Sequence, residues 1–405
     1  MKVRSVTYFC NPGWPLNEKK FQAAGTFLSG AKTAFEAAGY AVQTTRLATV
    51  PFPRMLGAKK LGDVPRLAQA MDTAIQSVGI AYACLGPALT EFPRSYAVIP
   101  EALAASENVF FSGVMADARI GLSLAAVRAC AEVIVRAAYI RPDGFANLRF
   151  AALANVPPGA PFFPAAYHEG DAPAFALATE AADLAVGAFT NAKTVEAGRR
   201  ALVAALEKHA GALASLAEGL RREFDVRFGG IDFSLAPFPD EAISLGAAME
   251  RLGVPKVGLH GSLAAAAILT EAIERAGFPR AGFSGLMLPV LEDAVLARRA
   301  AEGRLSVKDL LLYAAVCGTG LDTVPLPGSS TPEQIAALLL DLSALALRLD
   351  KPLTARLMPI PGKQAGDPTG FDFAFFADSR VMALEAAPLA RAFSRREGFS
   401  LRLRS

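Results

Sequence analysis

Short runs of alternating apolar residues and longer runs with helical spacing follow one another almost throughout the chain. "VRSVTYF" (3–9), "YAVQTTRLA" (40–48), "IAYACLG" (80–86) and "NVFFSG" (108–113) predict strands. So do "LRFAALAN" (148–155), "FALATE" (175–180), "GGIDFSLAP" (229–237), "GLMLPV" (285–290) and "LDTVPL" (321–326). "KPLTARLMPIP" (351–361) and "FDFAFFA" (371–377) predict two late strands. Between most of them lie amphipathic helices, among them 16–39, 64–79, 120–138, about 192–224, 263–277 and 331–350. About ten strands alternating with helices predict right-handed βαβ units around a largely parallel sheet, either open and doubly wound or closed into a barrel. No linker rich in Gly, Ser or Pro divides the chain, which reads as one domain over 1–405 with a peripheral tail from about 385.

Within "GGIDFSLAP", alternation sets Asp232 and Ser234 on one face and Ile231, Phe233 and Leu235 on the other. A strand covered on both faces cannot leave two polar side chains without partners, so the pair either lines a polar interior or braces a neighbouring loop. The tract "NVPPGAPFFPAAYHEGDAP" (155–173) reads as a long loop at a strand end, the usual place for functional residues.

The 405 residues are 53% hydrophobic, with a mean hydropathy of +0.33, enough for a large core. A net charge of +3 argues against a polyanion-binding surface, so no nucleic-acid partner is expected. The basic tail (Arg391, Arg395, Arg396, Arg402, Arg404) reads as a solvated helix face. No apolar run reaches the roughly 18 residues of a membrane helix, and "MKVRSVTYF" lacks a signal peptide's apolar stretch. A cytoplasmic protein without a membrane partner is expected. The four cysteines, Cys10, Cys84, Cys130 and Cys317, form no CxxC pair and predict reduced thiols and no zinc site.

Candidate chemistry clusters where strand-like runs meet helices. His260 stands between Gly258 and Gly261 in "VGLHGS", placed for acid–base work or metal ligation, with Ser262 a candidate helix cap. Cys317, in "VCGTGLD", is a candidate nucleophile, radical carrier or ligand, or else a small buried hydrophobe; Asp322 follows on the strand. Glu292 and Asp293 in "MLPVLED" suit a divalent cation or a base, or simply a first helical turn. Asn155 and His168 flank the long loop as polar anchors, whereas His209 reads as a surface residue. In "GSSTPEQIAAL", Thr331, Pro332 and Gln334 have the spacing of a capping box. Neither GxGxxG nor a P-loop pattern is present.

The stretches "FGGIDFSLAPFPDEAISLGAAMERLGVPKVGLHGSLAAAAILTEAI", "GLMLPVLEDAVLA", "VCGTGLDTVPLPGSSTPEQIAALLLD" and "RLMPIPGK" closely resemble uncharacterised protein family 0210, domain of unknown function 711. The resemblance runs from about Val3 to about Ala383. It is dense after 224 and thinner before, where it rests on "FSG", the helix entry near Arg119, "LAN" and "AAYH". It carries Asp232, Ser234, His260, Gly261, Pro289, Glu292, Asp293, Gly320, Leu321 and Asp322 onto family positions. It implies a closed ten-stranded α/β barrel of the pyruvate formate-lyase type, helices outside, with Asp232 and Ser234 facing the cavity. A glycyl radical is not expected, because Ala383 stands at the glycine position of "RVMALEA". The chain departs from its relatives in "FDFAFFAD" and at Glu169, where they carry glycine. The expected activity is chemistry on a small polar, amino-acid-related metabolite, or ligand binding without turnover on the same scaffold. His260, Asp232 and Cys317 are the catalytic candidates. Ser234, Asn155, His168, Gly261, Asp322 and Arg119 are the substrate-binding candidates, and Glu292 and Asp293 those for a divalent metal. An ACT-domain partner follows from the resemblance, and a homodimer is the expected assembly.

Overall fold

The computed structural model describes residues 1–395 and 397–403. Among these, eleven strands share one sheet: β1 (Lys2–Cys10), β2 (Val42–Thr49), β3 (Tyr82–Ala88), β4 (Val109–Asp117), β5 (Gly121–Ser123), β6 (Phe150–Ala154), β7 (Ala174–Glu180), β8 (Arg227–Ala236), β9 (Gly320–Pro327), β10 (Leu353–Ile360) and β11 (Gly398–Phe399). The main path runs β8-β7-β1-β2-β3-β4-β6-β10-β9. Strands β1, β2, β3, β4 and β6 are mutually parallel. So are β7 with β8 and β9 with β10. Each of these two pairs meets the five-strand group antiparallel, β7 against β1 and β10 against β6.

Between the ends of this path lies the segment 279–291. The Ile231 amide donates to the Pro279 carbonyl (2.8 Å), Ala281 to Ile231 (3.0 Å), Met287 to Ser234 (3.2 Å) and Val290 to Asp322 (3.1 Å). A parallel bridge pairs Ile231 with Arg280, another Pro289 with Asp322. The expected strand 285–290 is therefore realised as an irregular partner of both β8 and β9. Close approach explains the irregularity: a Cβ on Gly285 would lie 2.5 Å from the Gly318 backbone.

One face of the sheet packs on helices, including Glu18–Ala37, Val64–Ser77, Leu124–Ala138, Val195–Phe224 and Pro332–Leu349. The alternation of β8 sends Ile231, Phe233 and Leu235 into that core. The inner face is filled by the tract 155–173. Phe163 packs with Phe9, Ala48, Cys84 and Phe110, and Phe162 with Val114, Leu153, Phe283 and Met287. Backbone polar groups of a buried loop need partners, and the strands supply them: Thr7 Oγ1 donates to the Pro161 carbonyl (3.4 Å), Cys84 Sγ to Pro164 (3.2 Å), and the His168 amide to the Thr49 carbonyl (2.9 Å).

Two further expected elements differ. "FDFAFFA" forms no strand; its rings pack on one another, with Phe373 4.9 Å from Phe145 and Phe375 5.7 Å from Phe238, centroid to centroid. The basic tail forms no long helix. A single tight turn at Arg391–Ser394 is followed by β11, which pairs with β5; Arg396 and Arg404 lie outside the described residues. The capping box at Thr331 is present, with Gln334 as its reciprocal partner.

Candidate functional site

A cavity opens on the inner face of the sheet, with about 830 Å³ of empty space counting its open mouth. Its polar wall is built by Arg4 on β1, Thr44 and Arg46 on β2, Thr179 on β7, Asp232 and Ser234 on β8, Glu292, and Arg356 on β10. Its apolar wall is mostly aromatic: Tyr82, Phe110, Phe162, Phe163, Phe373 and Phe375, with Met287.

Arg356 is central to the polar wall. Its Nε donates to Asp322 Oδ1 (2.5 Å), and its Nη2 to Asp322 Oδ2 (3.0 Å) and Glu292 Oε1 (2.8 Å). Arg4 donates to the other Glu292 oxygen and to the Pro237 carbonyl (3.1 Å). Burial would raise the Glu292 carboxyl, yet Arg4 and Arg356 hold it below its ordinary value. Asp322 goes the other way. Burial pushes it up, the adjacent Glu292 charge adds to this, and Arg356 offsets only part.

Arg46 differs from its neighbours. Its Nε donates to Thr44 Oγ1 (2.8 Å), and its guanidinium lies over the Phe163 ring, 5.1 Å from the centroid. Among the described residues no carboxylate lies within ion-pair distance of it. Burial first, then the Arg4 charge, disfavour its cationic form. A desolvated guanidinium with no carboxylate in direct contact, helped only by the more distant Glu292 charge and facing a cavity, gains from an arriving anion.

Asp232 and Ser234 face the cavity, and Asp232 also braces the segment 279–291. It accepts from the Phe283 amide (3.0 Å), the Ser284 amide (3.0 Å) and the Ser234 hydroxyl. Burial raises its carboxyl, and these donors pull it back only in part.

The other sequence candidates lie elsewhere. His260 and Gly261 are exposed on the turn before the helix Ser262–Arg275 and line none of the cavities described here, so the expected pairing of His260 with Asp232 around one cavity is not formed. Ser262 does not cap that helix; its hydroxyl ties the turn through the Leu259 carbonyl (2.7 Å). Cys317 is fully buried in the helix-side core, where burial raises its thiol, and it behaves as a small hydrophobe. Asp322 is held by Arg356 rather than free for a ligand. Asn155 spans from the end of β6 to Asp350 Oδ1 (3.0 Å). Arg119 is exposed beside Glu91, 4.0 Å away.

His168 is buried and lines a second cavity with Glu169 and Arg227, where β7 and β8 begin. Burial lowers its imidazole, and its Nε2 has no partner among the described residues.

The residues expected to hold a divalent cation do not fit one. Asp293 accepts from the Ser244 hydroxyl and from the amides of Leu245, Gly246, Val295 and Leu296, joining two helix starts. Glu292 is occupied by two guanidinium groups. No group of three or more His, Cys, Asp or Glu side chains among the described residues is arranged to hold a metal.

Sequence reasoning missed Arg4, Arg46 and Arg356. The signal was available, since each is a charged residue inside a strand covered on both faces, and such a charge requires a partner.

The architecture is that of a mixed α/β protein with a charged and aromatic cavity on the inner face of its sheet. The family described as "Uncharacterised ACR (DUF711)" matches residues 1–374, and the chain belongs to it. It is similar to a UPF0210 protein of Pyrobaculum arsenaticum, 37% identical over 66% of this chain and 61% of that one. A UPF0210 protein of Methanopyrus kandleri is 31% identical over 87% and 82%, and one of Neisseria gonorrhoeae 28% identical over 82% and 77%. The match spans 61% and 57% of the length of two Pyrobaculum relatives. No helix among the described residues is long and apolar enough to cross a membrane.

Proposed function

We propose that the inner cavity receives a small metabolite bearing a carboxylate, with Arg46 as its anchor. The supporting observation is the Arg46 guanidinium, set against the Phe163 ring without a carboxylate partner while Arg4 and Arg356 are engaged by Glu292 and Asp322. The cavity is the interior of a ten-stranded barrel in this reading, with 279–291 as the strand between β8 and β9. Its hydrogen bonds to both neighbours support that closure. Thermal shift and calorimetry against small carboxylates test the anchor. Saturable stabilisation of the wild type, lost in Arg46→Gln, is expected. Undiminished binding by Arg46→Gln overturns the assignment.

Turnover is a second reading, supported by Asp232. A carboxyl raised by burial and lining the cavity is placed to donate and recover a proton. No glycyl radical is invoked. Exchange of ligand hydrogens with deuterated water, followed by NMR, is expected for the wild type and abolished in Asp232→Asn. Binding without exchange in the wild type would leave a binding protein on this scaffold.

A further inference from the structure

The inner cavity shares part of its aromatic wall with a further cavity. A wide groove on the outer side, with about 1190 Å³ of empty space counting its open side, shares Tyr82, Phe110, Leu148 and Phe373 with it. These four residues are a wall common to groove and cavity. The Tyr82 and Phe110 rings stand edge to face, 5.4 Å apart at 72°. Phe373 packs edge to face on Phe145, 4.9 Å apart at 72°. Phe373 belongs to a segment without helix or strand and remains partly exposed.

Resting on the carboxylate reading, we infer that the occupant carries an aromatic ring, with its carboxylate at Arg46 and its ring against the cavity wall of Tyr82, Phe110 and Phe373. A wall of aromatic rings favours a ligand ring, which can meet it face or edge on, over an alkyl chain. The guanidinium above Phe163 sets the charge and the aromatic surface side by side, as an aryl-substituted carboxylate requires.

Calorimetry at fixed ionic strength with benzoate, 3-phenylpropionate and indole-3-acetate, against propionate and succinate, tests this. At least one aryl acid is expected to bind about tenfold more tightly than propionate. Phe373→Leu, which keeps bulk but removes the ring, is expected to erase most of that preference, read as the ratio of aryl-acid to propionate affinity. Its thermal midpoint confirms that the fold persists, and Tyr82→Leu repeats the measurement from the sheet side. Arg46→Gln is expected to lose both classes. Equal affinity for aryl and alkyl acids, or a preference that survives Phe373→Leu and Tyr82→Leu, overturns the aromatic assignment and leaves Arg46 standing. Failure of every carboxylate to bind overturns both.

Discussion

The Arg356 guanidinium grips the Asp322 carboxylate with two parallel hydrogen bonds, Nε to Oδ1 at 2.5 Å and Nη2 to Oδ2 at 3.0 Å. Both side chains are buried, and Arg356 also holds Glu292. Breaking such a pair from one side leaves an uncompensated charge, at a cost of about 3–5 kcal/mol. Arg356→Met is expected to lose stability of that order in urea unfolding. Adding Asp322→Asn should recover part of the loss, because the orphaned charge is removed with its partner. Arg356→Lys should not rescue, since an ammonium cannot reproduce the bidentate contact.

Glu292 sets an acid limb. Its carboxyl is held below the ordinary value of 4.5 by Arg4 and Arg356. The stability it contributes is present above that value and lost as pH falls through the folded one. Asp232 works in the opposite sense. Its carboxyl is raised above 3.8 by burial, so its contribution is full below 3.8 and lost as pH rises through the folded value. Melting midpoints between neutral and acid pH should show the acid loss flattened in Glu292→Gln. An acid limb unchanged in that variant would place its origin elsewhere.

Gly282 adopts φ +60°, and a Cβ there would lie 2.2 Å from Asp232 Oδ2. Gly282→Ala is expected to push Asp232 off the Phe283 and Ser284 amides and to destabilise by about 2–3 kcal/mol. Chemical denaturation reads the effect. A variant within experimental error of the wild type would remove the bracing role assigned to Asp232.

The thiols should be silent in the native protein. Burial pushes Cys10 and Cys84 up to about 12 and also raises Cys130 and Cys317. A colorimetric thiol reagent is expected to titrate four groups only after denaturation. Rapid native labelling at Cys317 would revive it as a nucleophile.

His260 is exposed and outside the cavity. His260→Ala should change stability by no more than about 0.5 kcal/mol and leave ligand affinity unaltered.

Much of the architecture was legible because period and punctuation are local. The alternation of 229–237, the capping box at Thr331 and the long helix ending at Phe224 each follow from nearest neighbours in sequence. The same rule set Asp232 and Ser234 together on one face of their strand, and the family resemblance implied that this face lines a cavity. The rule was not applied to Arg46 and Arg356, whose neighbours look like ordinary strand residues and whose partners, or lack of them, come from distant strands. "FDFAFFA" misled for a different reason. Alternating phenylalanines satisfy a strand pattern equally well when the rings pack on one another and no strand pairs alongside. His260 was over-read because two flanking glycines look the same in an exposed turn as beside a ligand.

The antiparallel pairing of β10 with β6 joins strands separated by roughly half the chain. Until β10 has left the ribosome, the free edges of β6 and β9 have no neighbour, and the nascent protein carries bare ladders of amide and carbonyl groups. Long-range closures of this kind fold slowly and invite aggregation in the interval. The vulnerable period in the life of this protein is therefore its synthesis, and production at low temperature or with chaperones should raise its yield more than any change at the cavity.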